Sequence, residues 1–392
     1  MLYSFLGSHP ALSIAELTAL THGAQIQNIT DSICTVAVDT LDIERLGGSQ
    51  KLAMHIKTYP TVNPQQLLKL LQDDIYGLAS ELVSTDGKVK LGVSWYGFST
   101  GVQTINAGSL SLKKILKKHG LSVRIIPNKT TALNTASVRS NKLHQPKNGG
   151  LELLLINAGT QTHLAYTISE QDIDGYAARD HGRPKRDAYV GMLPPKLAQI
   201  MINLVQPEPA GLVADIFCGT GVVLQEALLL GNDVFGSDLD ERMVSYSKEN
   251  LDWLQENTNL QTKIYDIIHS DATEVALPND TTAVVSEMYL GKPLNHAPTK
   301  EDLHSFLQEN ESLLLKTLTN LSSQLQSGAK ICFALPAWKS ENGRHYVDLP
   351  LETLRKLGYN PLDITSVSAD DLIYARSDQV VGRKLLLLQK GN

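Results

Sequence analysis

Apolar runs and polar turns divide the chain into short strands and helices. Over residues 1–58 the period of two at 2–6, 25–29, 33–39 and 52–59 predicts strands. Helical spacing at 11–21 and 43–46 predicts two helices between them. That order suits a small ferredoxin-like α+β unit. Turn residues at 59–64 (Tyr-Pro-Thr-Val-Asn-Pro) mark a boundary. A second unit is expected over 59–175. Asn63 there caps a helix through residue 71, with Pro64 in its first turn. Strands are predicted at 89–96, 123–126, 151–157 and 163–168, and a lysine-bearing helix at 110–119. Residues 176–190 are dense in Arg, Gly and Pro and read as a linker. From 191 to 392 strand and helix alternate, which predicts a parallel sheet with helices on both faces. The last two strands, 372–376 and 380–389, follow one another without a helix, so an antiparallel edge is expected.

One turn within this alternation carries chemistry. The apolar strand ending at Asp215 runs into Ile216-Phe217-Cys218-Gly219-Thr220-Gly221, and a helix starts at once. The next strand ends in Asp238. Glycines let the backbone approach a ligand, and an acid one strand later can grip ribose hydroxyls. A dinucleotide turn would carry a third glycine where Leu224 stands. Asp215 suits a cationic methionine moiety better than a pyrophosphate. The pattern therefore favours S-adenosylmethionine. Asp215, Cys218, Gly219, Gly221 and Asp238 are the expected cofactor residues. A packing turn and a solvated strand-end acid are the bland alternatives.

Composition narrows the class. A chain of 392 residues with 42% hydrophobic and 19% charged residues is ordinary for a globular protein. No run approaches the length of a membrane span, and the N-terminus reads as a strand and not a signal peptide. Cys34, Cys218 and Cys332 lie far apart, with no disulfide or zinc spacing. His9, His181, His269 and His296 likewise show no metal-binding spacing, so no metal is expected. A reducing cytoplasm follows by default.

The net charge of −6 conceals an asymmetry. Residues 97–150 hold nine Lys and Arg and no Asp or Glu, while the rest carries 26 basic against 41 acidic residues. Such a block predicts contact with nucleic-acid phosphates. A solvated helix face is the alternative for its lysines. Aromatic residues are sparse around it, which fits a surface that reads duplex shape better than one that stacks single bases.

The junction motifs resemble one family. Arg179-Asp180 through Arg183-Pro184, then Gly191-Met192-Leu193-Pro194-Pro195-Lys196-Leu197-Ala198, then Asp215 to Gly221, are similar to the THUMP-domain tRNA guanine-N2 methyltransferases. The basic run 111–118 with Ser122-Val123-Arg124 resembles the THUMP core. The resemblance implies a Rossmann-like methyltransferase sheet with an antiparallel edge hairpin over 191–392. Ahead of it would come a ferredoxin-like domain (1–58), a THUMP-like domain (59–175) and a linker (176–190). It also implies tRNA as partner, methylation of the exocyclic amine of a guanosine at position ten, and adenine contact at Asp271. Lys113, Lys117, Arg124, Arg139, Lys142 and Arg183 are the expected RNA contacts, with pairing to acids as the alternative for the linker arginines.

The fourth strand departs from the family. Amino-group methyltransferases carry Asp/Asn-Pro-Pro-Tyr/Phe there, whereas this chain has Ser286-Glu287-Met288-Tyr289. Tyr289 keeps the aromatic, Ser286 takes the first position, and Glu287 is the expected acceptor. These three are the catalytic candidates. Two rival readings remain at this stage: a DNA amino-methyltransferase, and a non-catalytic RNA-binding protein that keeps the fold.

Overall fold

The computed structural model describes residues 1–392 apart from 61–62, 85–86, 188–191, 207–209, 342 and 392. Gly191 of the junction motif therefore lies outside the described residues. Backbone contacts divide the chain into two compact units. One comprises Met1–Pro10, Ala24–Glu44 and Ser49–Gln171; the other comprises Ala11–Gly23, Arg45–Gly48 and Asp172–Asn392.

The first unit is built on one eight-stranded sheet. Its strands are β1 (Leu2–Leu6), β2 (Ile26–Thr30), β3 (Ile33–Val36), β4 (Ser49–Pro60), β5 (Val89–Tyr96), β6 (Val123–Ile125), β7 (Gly150–Asn157) and β8 (Gln161–Glu170). The order is β2-β3-β1-β4-β8-β7-β5-β6. β4 pairs β1 on one side and β8 on the other, so hydrogen bonding runs straight across the boundary expected at 58/59. Lys51 of β4 also makes a buried ion pair, Nζ to Oε2 at 2.6 Å, with Glu152 of β7. The strands on the two sides of that expected boundary share one sheet.

Helix α1 (Pro10–Leu20) belongs from Ala11 onward to the second unit, whereas α2 (Pro64–Leu82), α3 (Val102–Lys118) and the short α4 (Thr135–Asn141) belong to the first. Asn63 caps α2 as expected, its Oδ1 accepting from Gln66 N at 2.9 Å. α3 starts eight residues before the sequence pattern suggested. Its first turns (Val-Gln-Thr-Ile-Asn-Ala-Gly-Ser) hold several weak helix formers, Thr, Asn and Gly among them, and packing decides their fate. Ile105 and Leu112 enter a core with Leu67, Leu71 and Ile75 of α2. A Cβ on Gly108 would come within 2.4 Å of Leu68 Cδ2, so that glycine lets the two helices close up.

The second unit has α5 (Ile173–Ala177), α6 (Pro195–Val205), α7 (Val222–Leu229), α8 (Glu241–Asn257), α9 (Lys300–Ser322) and α10 (Leu351–Lys356). Its strands are β9 (Leu212–Asp215), β10 (Asp233–Asp238), β11 (Ile264–His269), β12 (Thr281–Glu287), β13 (Lys330–Ser340), β14 (Gly343–His345), β15 (Tyr359–Pro361), β16 (Ile373–Tyr374) and β17 (Val381–Lys390). The order is β11-β10-β9-β12-β13-β17-β15. The first five run parallel, while β17 is antiparallel to β13 and β15. β16 also pairs antiparallel with β17, the hairpin that the helix-free ending predicted. Successive strand residues feed opposite faces. Val213, Ala283 and Val285 join α6, α7 and α8 in one apolar cluster, whereas Leu212, Ala214 and Val284 join α9 and α10 in the other.

α1 is locked into this unit by one buried carboxylate. Glu16 accepts from the N–H groups of Gly47 (2.9 Å) and Gly48 (2.8 Å) and from Asn203 Nδ2 of α6 (2.8 Å). A Cβ at residue 47 would lie 2.2 Å from Lys196 O, so only glycine fits there. The expected linker is ordered where described. Tyr176 is buried, and Arg179 grips Glu226 of α7 through Nε (2.6 Å) and Nη2 (3.3 Å).

Candidate active site

β9, β10 and β12 end at one rim of the second unit's sheet, around a cavity of about 780 Å³. Such a volume lies in the range of small-molecule sites, roughly 300–1,000 Å³. Its wall includes Asp215, Phe217, Cys218, Gly219, Asp238, Asp271, Glu287, Met288 and Tyr289. Sequence reasoning therefore brought seven of its site residues to one place (Asp215, Cys218, Gly219, Asp238, Asp271, Glu287 and Tyr289).

The glycine turn owes its shape to backbone that other residues resist. Gly219 and Gly221 have φ of 51° and 80°. Gly219 N donates to Asp238 Oδ2 at 2.8 Å, and Asp240 N donates to Oδ1 at 2.9 Å. Asp238 is thus fixed at the rim with lone pairs to spare. Gly221 does not line the cavity. A Cβ there would meet Ser247 Oγ of α8 at 2.9 Å, so it serves helix packing. Ser247 Oγ in turn donates to Gly219 O at 2.9 Å. Cys218 lines the wall, its thiol pushed well up by burial.

Asp215 is fully buried, and desolvation pushes its carboxyl up to about 7. The Ser286 hydroxyl donates to Asp215 Oδ1 at 2.7 Å and accepts from Ile216 N at 2.9 Å. Ser286 therefore stands behind the wall as a brace for Asp215. It was expected beside the substrate, but its Oγ is committed and the residue is fully buried. Asp271 is held by the N–H (2.8 Å) and hydroxyl (2.7 Å) of Thr273, and those bonds lower its carboxyl. It is both a turn acid and part of the wall.

Glu287 ends β12. Its Oε1 accepts from Arg383 Nε of β17 at 2.5 Å, with the two side chains 14% and 6% exposed. Burial raises the Glu287 carboxyl and the guanidinium opposes that rise. No motif pointed to Arg383. The only signal was a charge ahead of the apolar run Leu385–Leu388. Tyr289 is 57% exposed at the cavity mouth, as is Leu239 at 67%. Asp187, Met192 and His269 also line the wall without having been foreseen; His269 Nε2 bonds Leu239 O at 2.8 Å.

The basic residues lie in the first unit, with Arg183 the exception. Lys117 is exposed on α3 with Lys114 and Lys118, while Lys113 is half-buried. Arg124 is exposed on the edge strand β6. Lys142 is exposed in the left-handed region at the end of α4 (φ 57°). Arg139 is half-buried, its Nη1 3.4 Å from Gln171 O. Arg183, in the second unit, is only 3% exposed, and its Nη2 lies 3.2 Å from Met192 Sδ. The expected RNA contact there does not hold in this conformation, because its guanidinium is turned into the protein. Among the described residues no helix is long and apolar enough to cross a membrane.

The sheet order defines the fold class, a Rossmann-like sheet of the methyltransferase type. The residues fit its cofactor, S-adenosylmethionine, with a fixed carboxylate at Asp238, a second at Asp215, and apolar wall between them. The family described as RMKL-like, methyltransferase domain, matches residues 183–337. A DNA methylase family matches residues 81–249, a span that starts in the first unit. The chain is 34% identical over 172 residues to the tRNA (guanine(10)-N2)-dimethyltransferase of Methanothermobacter thermautotrophicus, covering 44% of each protein. It is 36% identical over 100 residues to the Methanocaldococcus jannaschii protein of the same name, 26% of this chain and 27% of that one. The matched part thus spans less than half of these curated relatives. The crystal structure of TrmN from Thermus thermophilus shares the fold over all of both chains, with a TM-score of 0.52 and 18% identity.

Proposed function

We propose that this chain is an S-adenosylmethionine-dependent methyltransferase acting on the exocyclic N2 amine of a guanosine in tRNA, at position ten. The match over 172 residues to a tRNA (guanine(10)-N2)-dimethyltransferase carries this reading. The cavity supports it. Asp238 is read as the ribose ligand, Asp215 as the partner of the methionine moiety, and Asp271 as the adenine contact. S-adenosylmethionine supplies a methyl group already activated by its sulfonium.

The chain's own part is alignment and proton handling. Glu287 Oε1 is committed to Arg383, so Oε2 is the acceptor left for the guanine amine. Holding the amine hydrogens localises a lone pair that the ring otherwise delocalises. Acid–base help of this kind is worth about 10²–10⁴ in rate. Oε2 then takes the proton that the nitrogen sheds on methylation and passes it to water. Tyr289 offers an exposed ring on which the base stacks. Alignment supplies much of the remaining rate.

The first unit is read as the tRNA-holding half, taking in most of the ferredoxin-like (1–58) and THUMP-like (59–175) spans. Its acid-free stretch meets phosphates through Lys113, Lys117, Arg124, Arg139 and Lys142, which sets position and not sequence. A target guanosine in a pair is flipped out at a cost of a few kcal/mol. The reaction is placed in the cytoplasm, which suits three buried free thiols. The match to a DNA methylase family keeps one second reading, transfer to a DNA amine. Mass spectrometry of tRNA nucleosides from cells with and without the protein tests the assignment. Loss of an N2-methylated guanosine is expected; an unchanged guanosine profile, or loss of another methylated base, overturns it.

A further inference from the structure

We infer that Arg383 is a positioning residue for methyl transfer, holding the acceptor Glu287 in one orientation at the cavity wall; this rests on the reading of Glu287 as the amine acceptor. The geometry comes from three neighbouring strands. Arg383 sits opposite Pro336 in the antiparallel β17–β13 pair, and Glu287 sits opposite Ala334 in the parallel β12–β13 pair. The guanidinium thus reaches across β13 to an acid on the strand beyond. Both side chains are largely buried, and the bond is short at 2.5 Å.

A buried guanidinium is costly to desolvate, and an aliphatic pair of similar volume is often at least as stable. Stability alone is a poor reason for this pair. Its position gives a better one, because the acid it holds is part of the cavity wall and its partner is not. Two charged groups face Glu287 from other elements: Arg383 from β17 and Asp215 from β9. Burial favours a protonated Glu287, and a protonated carboxyl is a poor acceptor; the Glu287 charge in turn helps to raise the Asp215 carboxyl. Arg383 is the cation that opposes the protonation of Glu287. Its donation to Oε1 also stops the carboxylate from rotating, which keeps Oε2 aimed at one place.

The test compares wild type, Arg383→Met and Arg383→Lys as full chains. Three quantities are read: the carboxyl ¹³C titration of Glu287 without donor, donor affinity by calorimetry, and the pH profile of kcat for tRNA methylation. In Arg383→Met the Glu287 titration should move up by about one pH unit or more. The acid limb of kcat should move with it, while donor Kd stays within about twofold. Arg383→Lys should recover most of both shifts. Should Arg383→Met fail to fold, Arg383→Lys must show a smaller upward shift in both. An unmoved titration overturns the inference. So does a titration that moves while the rate profile does not, since the pair is then only structural. Absence of transfer by the wild-type chain overturns the proposed function as well; an active wild type with unmoved variants overturns this inference alone.

Discussion

The cavity and the basic face are built by opposite rules. At the cavity, carboxylates are pulled out of water and each is tied down: Asp238 by two backbone N–H groups, Asp215 by Ser286, Glu287 by Arg383. On α3 and β6, Lys114, Lys117, Lys118 and Arg124 stand exposed. The first arrangement keeps few charges at fixed places, where each matters. The second keeps many charges in water, where they act together through the field and are screened by salt. Mutations should separate the two regions cleanly. Changes at the cavity should alter turnover and donor affinity, and changes on the face should alter tRNA affinity and its salt dependence.

The largest effect is expected at Glu287. Glu287→Gln removes the charged acceptor and should lower kcat by about 10²–10⁴, with tRNA binding by filter retention nearly unchanged. Parallel loss of tRNA binding would blur the comparison. Asp238→Asn comes next. Losing a charged hydrogen-bond acceptor for ribose costs about 1.5–3 kcal/mol, or roughly 10- to 100-fold in donor Kd by calorimetry.

A smaller effect should appear on the other side. Replacing Lys114, Lys117 and Lys118 together by Ala should weaken tRNA binding about tenfold at moderate salt. It should also make the slope of log affinity against log salt shallower by about two. Donor affinity should not move, and an unchanged slope would return these lysines to plain solvation.

The smallest effect is one of pH. The Asp215 carboxyl is raised to about 7 in the fold, whereas an unfolded chain releases that proton near 4. Between those values the unfolded state has lost a proton that the folded state still holds. Asp215 therefore makes the donor-free protein less stable as pH rises through that window. A cationic ligand favours the ionised form, so donor affinity should climb severalfold from pH 6 to pH 8 and then level. Asp215→Asn should flatten that climb. A flat wild-type profile would place Asp215 outside the ligand's reach.

What could be read from the chain depended on how far apart the partners lie. The turn Asp215 to Gly221 was legible because strand, glycines and helix adjoin, and Asp238 followed at a fixed interval. The antiparallel ending of the sheet was legible because no helix separates its last strands. Arg383 was not legible. It is 96 residues from Glu287, and only the β12-β13-β17 order brings them together. The same holds for α1, whose Glu16 finds Asn203 at a separation of 187. Ser286 was placed correctly on the strand, but its direction is set by Asp215, which a motif cannot show. Arg183 was read from local charge, and charge alone does not tell an exposed arginine from a buried one. The first turns of α3 were not legible either, because only the packing of Leu68 beside Gly108 shows why a glycine stands there.

The most direct measurement gives the purified full chain methyl-labelled S-adenosylmethionine with tRNA in one vessel and duplex DNA in another, and digests each to nucleosides. The account predicts label in tRNA only, on N2 of guanosine, and its disappearance with Glu287→Gln. Label on DNA or on another base would contradict the account, as would no label from wild-type protein that binds tRNA.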